Sequence, residues 1–255
     1  SPRLSAVVKL GPTQRLRFLW TRSVRAPSHL YNYAKLTIPN SAPTALAPGV
    51  PFIPPFRFQG DQDLDSVTMD SWEVGYRASY RELLRFNATV YLNALRDFHA
   101  LTRPNPADPF LFGVENTAHT RAWGTELSAE FRYNDYLHGF ASYHFETARG
   151  DLQRTTPTNK VILGLRGRLL PWLRYSVTSK YVAHTRYDTD EVDASFIGDT
   201  AIPSRFNVDG FIGIQVRPGV ELGVKARNIF HQVRRQFPLG DEIGSEVVAT
   251  VRVEY

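Results

Sequence analysis

From Ser245 to Tyr255 the sequence runs SEVVATVRVEY. Val247, Ala249, Val251, Val253 and Tyr255 are apolar, Glu246, Thr250, Arg252 and Glu254 are polar, and Val248 alone breaks the alternation. A period of two sends successive side chains to opposite faces, so the segment predicts a β-strand with one oily and one polar face. It ends on a ring, where a strand crossing a bilayer places an interfacial aromatic residue. The expectation is the closing strand of a membrane β-barrel.

The same alternation recurs along the chain. It predicts strands over Leu4 to Leu10, Arg15 to Thr21, Ser71 to Tyr80, Leu84 to Ala94, Trp123 to Tyr133 and Leu137 to Thr147. Further strands are predicted over Val161 to Leu169, Leu173 to Ala183, Arg205 to Val216 and Val220 to Asn228, before the terminal one. That makes about eleven strands of nearly uniform length, close to the roughly 9 to 11 residues that cross a bilayer. Tight turns such as Gly11 to Gln14, Arg81 to Leu83 and Arg217 to Gly219 alternate with long loops from about Val24 to Ser66 and Asp97 to Ala118. A soluble β-sandwich has no reason for this asymmetry, whereas an outer-membrane barrel has periplasmic turns and longer extracellular loops. Tyr80, Tyr133, Tyr136, Trp172 and Tyr255 would gather at the short-turn interface. Arg17, Glu73, Arg166, Lys180 and Lys225 carry charge in mid-strand, which a wet lumen accepts and a dry sandwich core does not.

Composition excludes several other classes. No run approaches the roughly 18 apolar residues of a membrane helix, and the 42% hydrophobic content allows a barrel, whose strands dilute apolar residues with polar ones. With no cysteine there is neither a disulfide framework nor a thiolate site. The net charge of +5 is mild and the basic residues are scattered, so nucleic acid is not an expected partner. No nucleophile spacing or phosphate-cradling glycine loop points to an enzyme, and neither a cofactor nor a bound metal is expected. The chain begins Ser-Pro-Arg, so a targeting segment is expected to have been removed or to lie on sequence outside these residues. If short turns are periplasmic, the terminal strand ends in the periplasm. Bacterial barrels close with an even number of strands, so residues 1–255 are expected to be the second half of a larger one.

Several stretches resemble the TonB-dependent receptors of Gram-negative outer membranes. Trp20-Thr21-Arg22-Ser23-Val24-Arg25-Ala26-Pro27-Ser28 is similar to that family's strand-to-loop element, and Gly60-Asp61-Gln62-Asp63-Leu64 with Trp72-Glu73-Val74-Gly75-Tyr76-Arg77 resembles its paired boxes. Gly124-Thr125-Glu126-Leu127, Ala226-Arg227-Asn228-Ile229-Phe230 and the terminal aromatic strand continue the likeness in order. The resemblance implies an all-β transmembrane antiparallel barrel segment, the second half of a barrel of about 22 strands. The plug and the first barrel half would be absent from these residues. It further implies energised uptake of a scarce ligand, most readily a ferric siderophore, with haem or cobalamin as lesser choices. A non-transport barrel, the translocator of a surface-displayed or adhesive protein, is the alternative of another class. The implied partners are the TonB complex, through an N-terminal part not in this sequence, outer-membrane lipid and lipopolysaccharide, and the barrel-assembly machinery, with Val251, Val253 and Tyr255 as its signal.

Ligand-binding candidates come from the first long loop. Arg25, His29, Tyr31, Tyr33, Phe56, Arg57 and Phe58 mix rings with positive charge, as an aromatic anionic chelate requires. The bland alternative is a lid stiffened by Pro39, Pro43, Pro48, Pro51, Pro54 and Pro55, whose rings only pack together. Haem-binding members of the resembled family carry a histidine between the two boxes, and His29 abuts the first; an exposed loop histidine is the default. Asp188, Asp190, Glu191 and Asp193 lack the glycine of a calcium loop, so a solvated acidic loop is expected there.

Overall fold

The computed structural model describes residues 1–38, 56–108, 110–134, 136–150, 156–186, 201–235 and 242–254. Chain order begins β1 (Arg3–Lys9), β2 (Gln14–Arg25), α1 (His29–Tyr33), β3 (Lys35–Ile38), β4 (Phe56–Gln59), β5 (Val67–Tyr80), β6 (Leu84–Thr102) and β7 (Leu111–Asn134). It continues with β8 (Leu137–Gly150), β9 (Asn159–Leu170), β10 (Leu173–Val182), β11 (Thr185–Arg186), β12 (Ala201–Ile202), β13 (Arg205–Arg217), β14 (Val220–Arg227), β15 (Arg234–Arg235), β16 (Glu242–Ile243) and β17 (Glu246–Val253).

Eleven of these form one path of paired strands in the order β1-β2-β5-β6-β7-β8-β9-β10-β13-β14-β17, antiparallel throughout. Each neighbour is the next long strand in the chain, so the sheet is an up-and-down meander. The short pairs β3–β4, β11–β12 and β15–β16 lie in the long connections.

Register sorts the side chains into rows. Leu4, Trp20, Trp72, Leu92 and Trp123 share one face; Val8, Leu16, Tyr76, Ala88, Leu127 and Tyr143 form a lower row of that face. Val161, Tyr181 and Phe206 continue that row, and Tyr175, Ile212, Val224 and Ala249 lie on the same face of the later strands. The opposite face holds Arg17, Gly75, Thr89, Glu126, His144 and Lys160 in one row. Val248, which breaks the sequence alternation, pairs with Lys225 on that polar face.

Burial is inverted relative to a soluble sheet protein. Among the described residues the buried apolar side chains are few, such as Val67, Val114 and Val182, while Leu4, Val247 and Val251 are 69%, 71% and 70% exposed. A sandwich would cover each oily face with the other sheet. Here the described residues leave the oily face without protein cover, and hydrocarbon is the apolar medium that suits it. The polar face pairs Arg17 with Glu73, His144 with Glu126 at 3.3 Å, and the Tyr91 hydroxyl with Glu146 at 2.6 Å.

Tyr80, Tyr133, Tyr136 and Trp172 are exposed at the short-turn end, while Tyr255 lies outside the described residues. Trp20, Trp72 and Trp123 make a second belt nearer the long loops. Along β5, Trp72 and Tyr80 are separated by about 27 Å at the usual strand rise, or about 21 Å across the membrane at a 40° tilt, close to the roughly 25 Å apolar band of such barrels.

Two expectations need correction. The stretch Asp97 to Ala118 is not a loop: β6 runs on to Thr102 and β7 starts at Leu111, paired from Phe98 with Ala118 to Thr102 with Gly113. The register shifts between Leu95 and His99, with Asp97 at φ 57°, and this bulge hid the continuing strands by breaking the period of two. Nor is the first long connection all loop, since it holds α1, β3 and β4, and Val24 and Arg25 still belong to β2.

An arginine at Val224, on the oily face, should cost about 2 to 4 kcal/mol, whereas Lys225→Gln should cost little. Unfolding free energies of the protein refolded into bilayers check this; equal effects would refute the assignment of faces. Residues 1–255 produced alone should aggregate or dimerise, because β1 and β17 are each paired on one side only and unpaired backbone groups in lipid cost several kcal/mol each. A monodisperse, heat-modifiable monomer with single-channel conductance would contradict that.

Candidate functional site

The long-loop end of the sheet is built on a set of local clamps. Ser28 caps α1, its Oγ accepting from Tyr31 N at 3.2 Å. The backbone N–H groups of Gly60 and Asp61 donate to the carbonyls of Ala34 and Tyr31, each at 2.8 Å, folding the second box against α1. Any Cβ at position 60 would strike the Tyr31 carbonyl, so glycine is required there. Asp61 Oδ1 accepts from Asp63 N at 2.9 Å, an Asx turn that sets the box geometry. The next residue in that path, Asp65, is held by its backbone: Asn116 Oδ1 accepts its N–H at 2.7 Å, and the Asp65 carbonyl meets His99 Nε2 at 2.9 Å and Asn116 Nδ2 at 3.1 Å.

His99 and Asn116 face each other across β6 and β7. Both fall inside the stretch that periodicity assigned to loop, and neither was singled out from the sequence. The signal that pointed to them was the pairing beyond the bulge, which only the register reveals.

The predicted loop residues separate into two groups. Tyr31 is half-buried, its ring edge-on to His99 at 5.7 Å; Arg57 is paired with Asp108, and its backbone N–H donates to the Phe110 carbonyl at 2.8 Å. Phe58 is half-buried on β4, which runs parallel to the start of β7. Phe56 opens β4, and its side chain lies outside the described residues. In the second group, Tyr33 is 60% exposed and stacks on exposed His29 at 6.0 Å. Exposed Arg25 lies over the Phe98 ring at 5.8 Å. Thus one group fastens the loop and the other presents rings and positive charge outward. The six prolines of the lid and the acidic set Asp188, Asp190, Glu191 and Asp193 lie outside the described residues. Among the described residues no group of three or more histidines and carboxylates is placed to hold a metal ion.

The family-like element Ala226 to Phe230 lies at the same long-loop end, where β14 leaves the sheet. Asn228 is buried with φ 50°, a left-handed conformation that asparagine tolerates better than most residues. Its N–H donates to Asp209 Oδ1 at 2.9 Å, its Nδ2 to the Gln232 carbonyl at 3.0 Å, and its carbonyl accepts from Ser245 Oγ at 2.7 Å. One residue therefore turns the chain out of β14, through its side-chain bond to Gln232, and ties it by its backbone carbonyl to the entry of β17. On the polar face near the short turns, a recess of about 640 Å³ is lined by His138, Arg166, Arg168, Arg174, Glu221 and Arg252, with Arg174 bonded to Glu221 at 3.1 Å. In β17, Val251 and Val253 stand exposed on the oily face.

No curated protein matches the sequence. Among solved structures the chain is similar to the siderophore receptor PirA from Acinetobacter baumannii, at 14% identity and TM-score 0.74, covering 100% of this chain and 41% of that one. It is also similar to the ferric-catecholate import receptor Fiu from E. coli K12 (11% identity, TM-score 0.72, 99% of this chain and 34% of that one) and to the copper transporter OprC (13%, 0.70, 99% and 39%). The chain thus spans between a third and about two fifths of the length of these proteins, and at such identities the likeness speaks to the fold. The family described as TonB dependent receptor-like, beta-barrel matches residues 1–229. With the meander, the two-faced strands and this match over most of the chain, the protein belongs to the TonB-dependent receptor β-barrel family of Gram-negative outer membranes.

Proposed function

We propose that residues 1–255 are the C-terminal part of a barrel of about 22 strands that takes up a scarce ligand, a ferric siderophore, with energy delivered through TonB. The observation that carries this reading is the outward display of Arg25 and Tyr33 at the long-loop end of a receptor-family barrel. A ferric chelate offers flat aromatic and anionic groups, which such side chains stack on and neutralise. Two of the similar structures bear the names of siderophore and ferric-catecholate receptors, which agrees with the choice. In this reading the long loops face outward and the C-terminus the periplasm, with β17 presenting Val251, Val253 and Tyr255 to the assembly machinery. TonB acts through the N-terminal part of the whole protein. Tyr31, Arg57 and Phe58 position the loop, and Phe56 opens the strand that carries Arg57 and Phe58.

The test uses the full-length receptor. Tyr33→Ala should weaken siderophore binding about 3- to 10-fold, the ~1 kcal/mol of one stacking contact, without changing its heat-modifiable mobility. His29→Ala should leave siderophore-supported growth unaltered. Loss of haem-iron use on His29→Ala alone would overturn the siderophore assignment and make His29 an axial ligand.

A further inference from the structure

A row of charge stands on the oily face directly above the tryptophan belt. Two residues closer to the long loops than Trp20, Trp72, Leu92, Trp123 and Thr147, the cross-strand partners are Arg22, Asp70, Ala94, Arg121 and Arg149. Arg96 joins them: its guanidinium lies 3.8 Å from Asp70, to which Arg22 also donates twice at 2.8 Å. Asp70 is the one carboxylate of the row, and it is buried and already engaged. Among the described residues Arg121 and Arg149 have no acidic partner.

Arg121 and Arg149 are also direct partners across β7 and β8. Like charges opposite one another on neighbouring strands repel, so this pair weakens the sheet unless an anion lies between them. The ladder holds them there, and the adjoining Gly150, at φ 116° and close to the His119 backbone, has no room for a side chain. Beneath the pair a recess of about 630 Å³ is lined by Leu92, Ala94, Arg96, Arg121, Trp123 and Arg149. Its upper rim is cationic, and its floor continues into the apolar band that faces hydrocarbon.

We infer that this recess is a docking site for a phosphorylated lipid of the outer leaflet, with its phosphate between Arg121 and Arg149 and its acyl chains along Leu92 and Trp123. Guanidinium pairs match phosphate oxygens in bidentate geometry. A tryptophan belt marks the height at which headgroups begin. A soluble anion would satisfy the rim but would gain nothing from the apolar floor, and a second barrel would face the repulsion of the same arginines.

The experiment is native mass spectrometry of the full-length receptor in detergent. The probes are lipid A bearing two phosphates, its dephosphorylated counterpart, phosphatidylcholine and inorganic phosphate. Lipid A should bind tightest, and excess inorganic phosphate should not displace it. Replacing both arginines, Arg121→Gln with Arg149→Gln, should weaken lipid A binding roughly 30-fold, at about fivefold per basic residue, and leave phosphatidylcholine binding unchanged. If the double variant does not assemble, Arg149→Gln alone should weaken binding about fivefold, while Arg149→Lys should retain most of it. The proposal is overturned if the variants bind lipid A as the parent does. It is equally overturned if dephosphorylated lipid binds as well, if inorganic phosphate competes, or if the arginines instead mediate receptor self-association.

Discussion

Backbone pairing in hydrocarbon is the constraint on which everything else in this chain depends. An N–H or C=O left unpaired in lipid costs several kcal/mol, so the ladder must run without interruption between the two interfaces. The register obeys this. Its shifts fall between Leu95 and His99, Arg132 and Asn134, Leu173 and Arg174, and Gln215 and Arg217. The first lies above the Trp20-Trp72-Trp123 belt, and the other three lie at the short turns. Between the belts each strand keeps its period of two, and this in turn fixes which side chains meet lipid and which meet water.

That coupling explains what was legible in the sequence. Ten strand pairs joined by alternating short and long connections were readable because lipid on one face and water on the other imposes strict alternation on residues such as Val220 to Lys225. Outside the membrane the demand lapses. Beyond Leu95 water can satisfy backbone groups, a bulge is tolerated, and the continuing ladder from Phe98 to Thr102 lost its periodic signature. The tryptophan belt was illegible for another reason. Trp20, Trp72 and Trp123 are far apart in the chain, and only register places them at one height.

The two family-like boxes were recognisable in sequence, yet their chemistry is mechanical. Gly60 is needed because the Tyr31 carbonyl occupies the space of a side chain, and Asn228 because one residue must be left-handed and also bond the Gln232 backbone with its side-chain amide. Such demands accept very few residue types, so the pattern is visible without any ligand being involved. His99 and Asn116 grip a backbone rather than a side chain, at Asp65. The partner's identity therefore leaves no mark in the sequence.

One barrel architecture serves ligands of different chemistry, and specificity must then reside in groups the ladder does not need. Within the first long connection this criterion separates the residues. Tyr31 supports His99, Arg57 is engaged by Asp108, and Phe58 sits on a strand paired to β7, so altering them disturbs the scaffold. Tyr33 and His29 touch mainly each other, and Arg25 rests on one ring at the strand end. Their side chains are exposed while their backbone belongs to ordered elements, which holds rings and charge in place without committing them to the fold. Side chains in that position can change with the ligand while the eleven-stranded meander stays the same, and under the proposed function that freedom makes Arg25 and Tyr33 the residues on which recognition can be built.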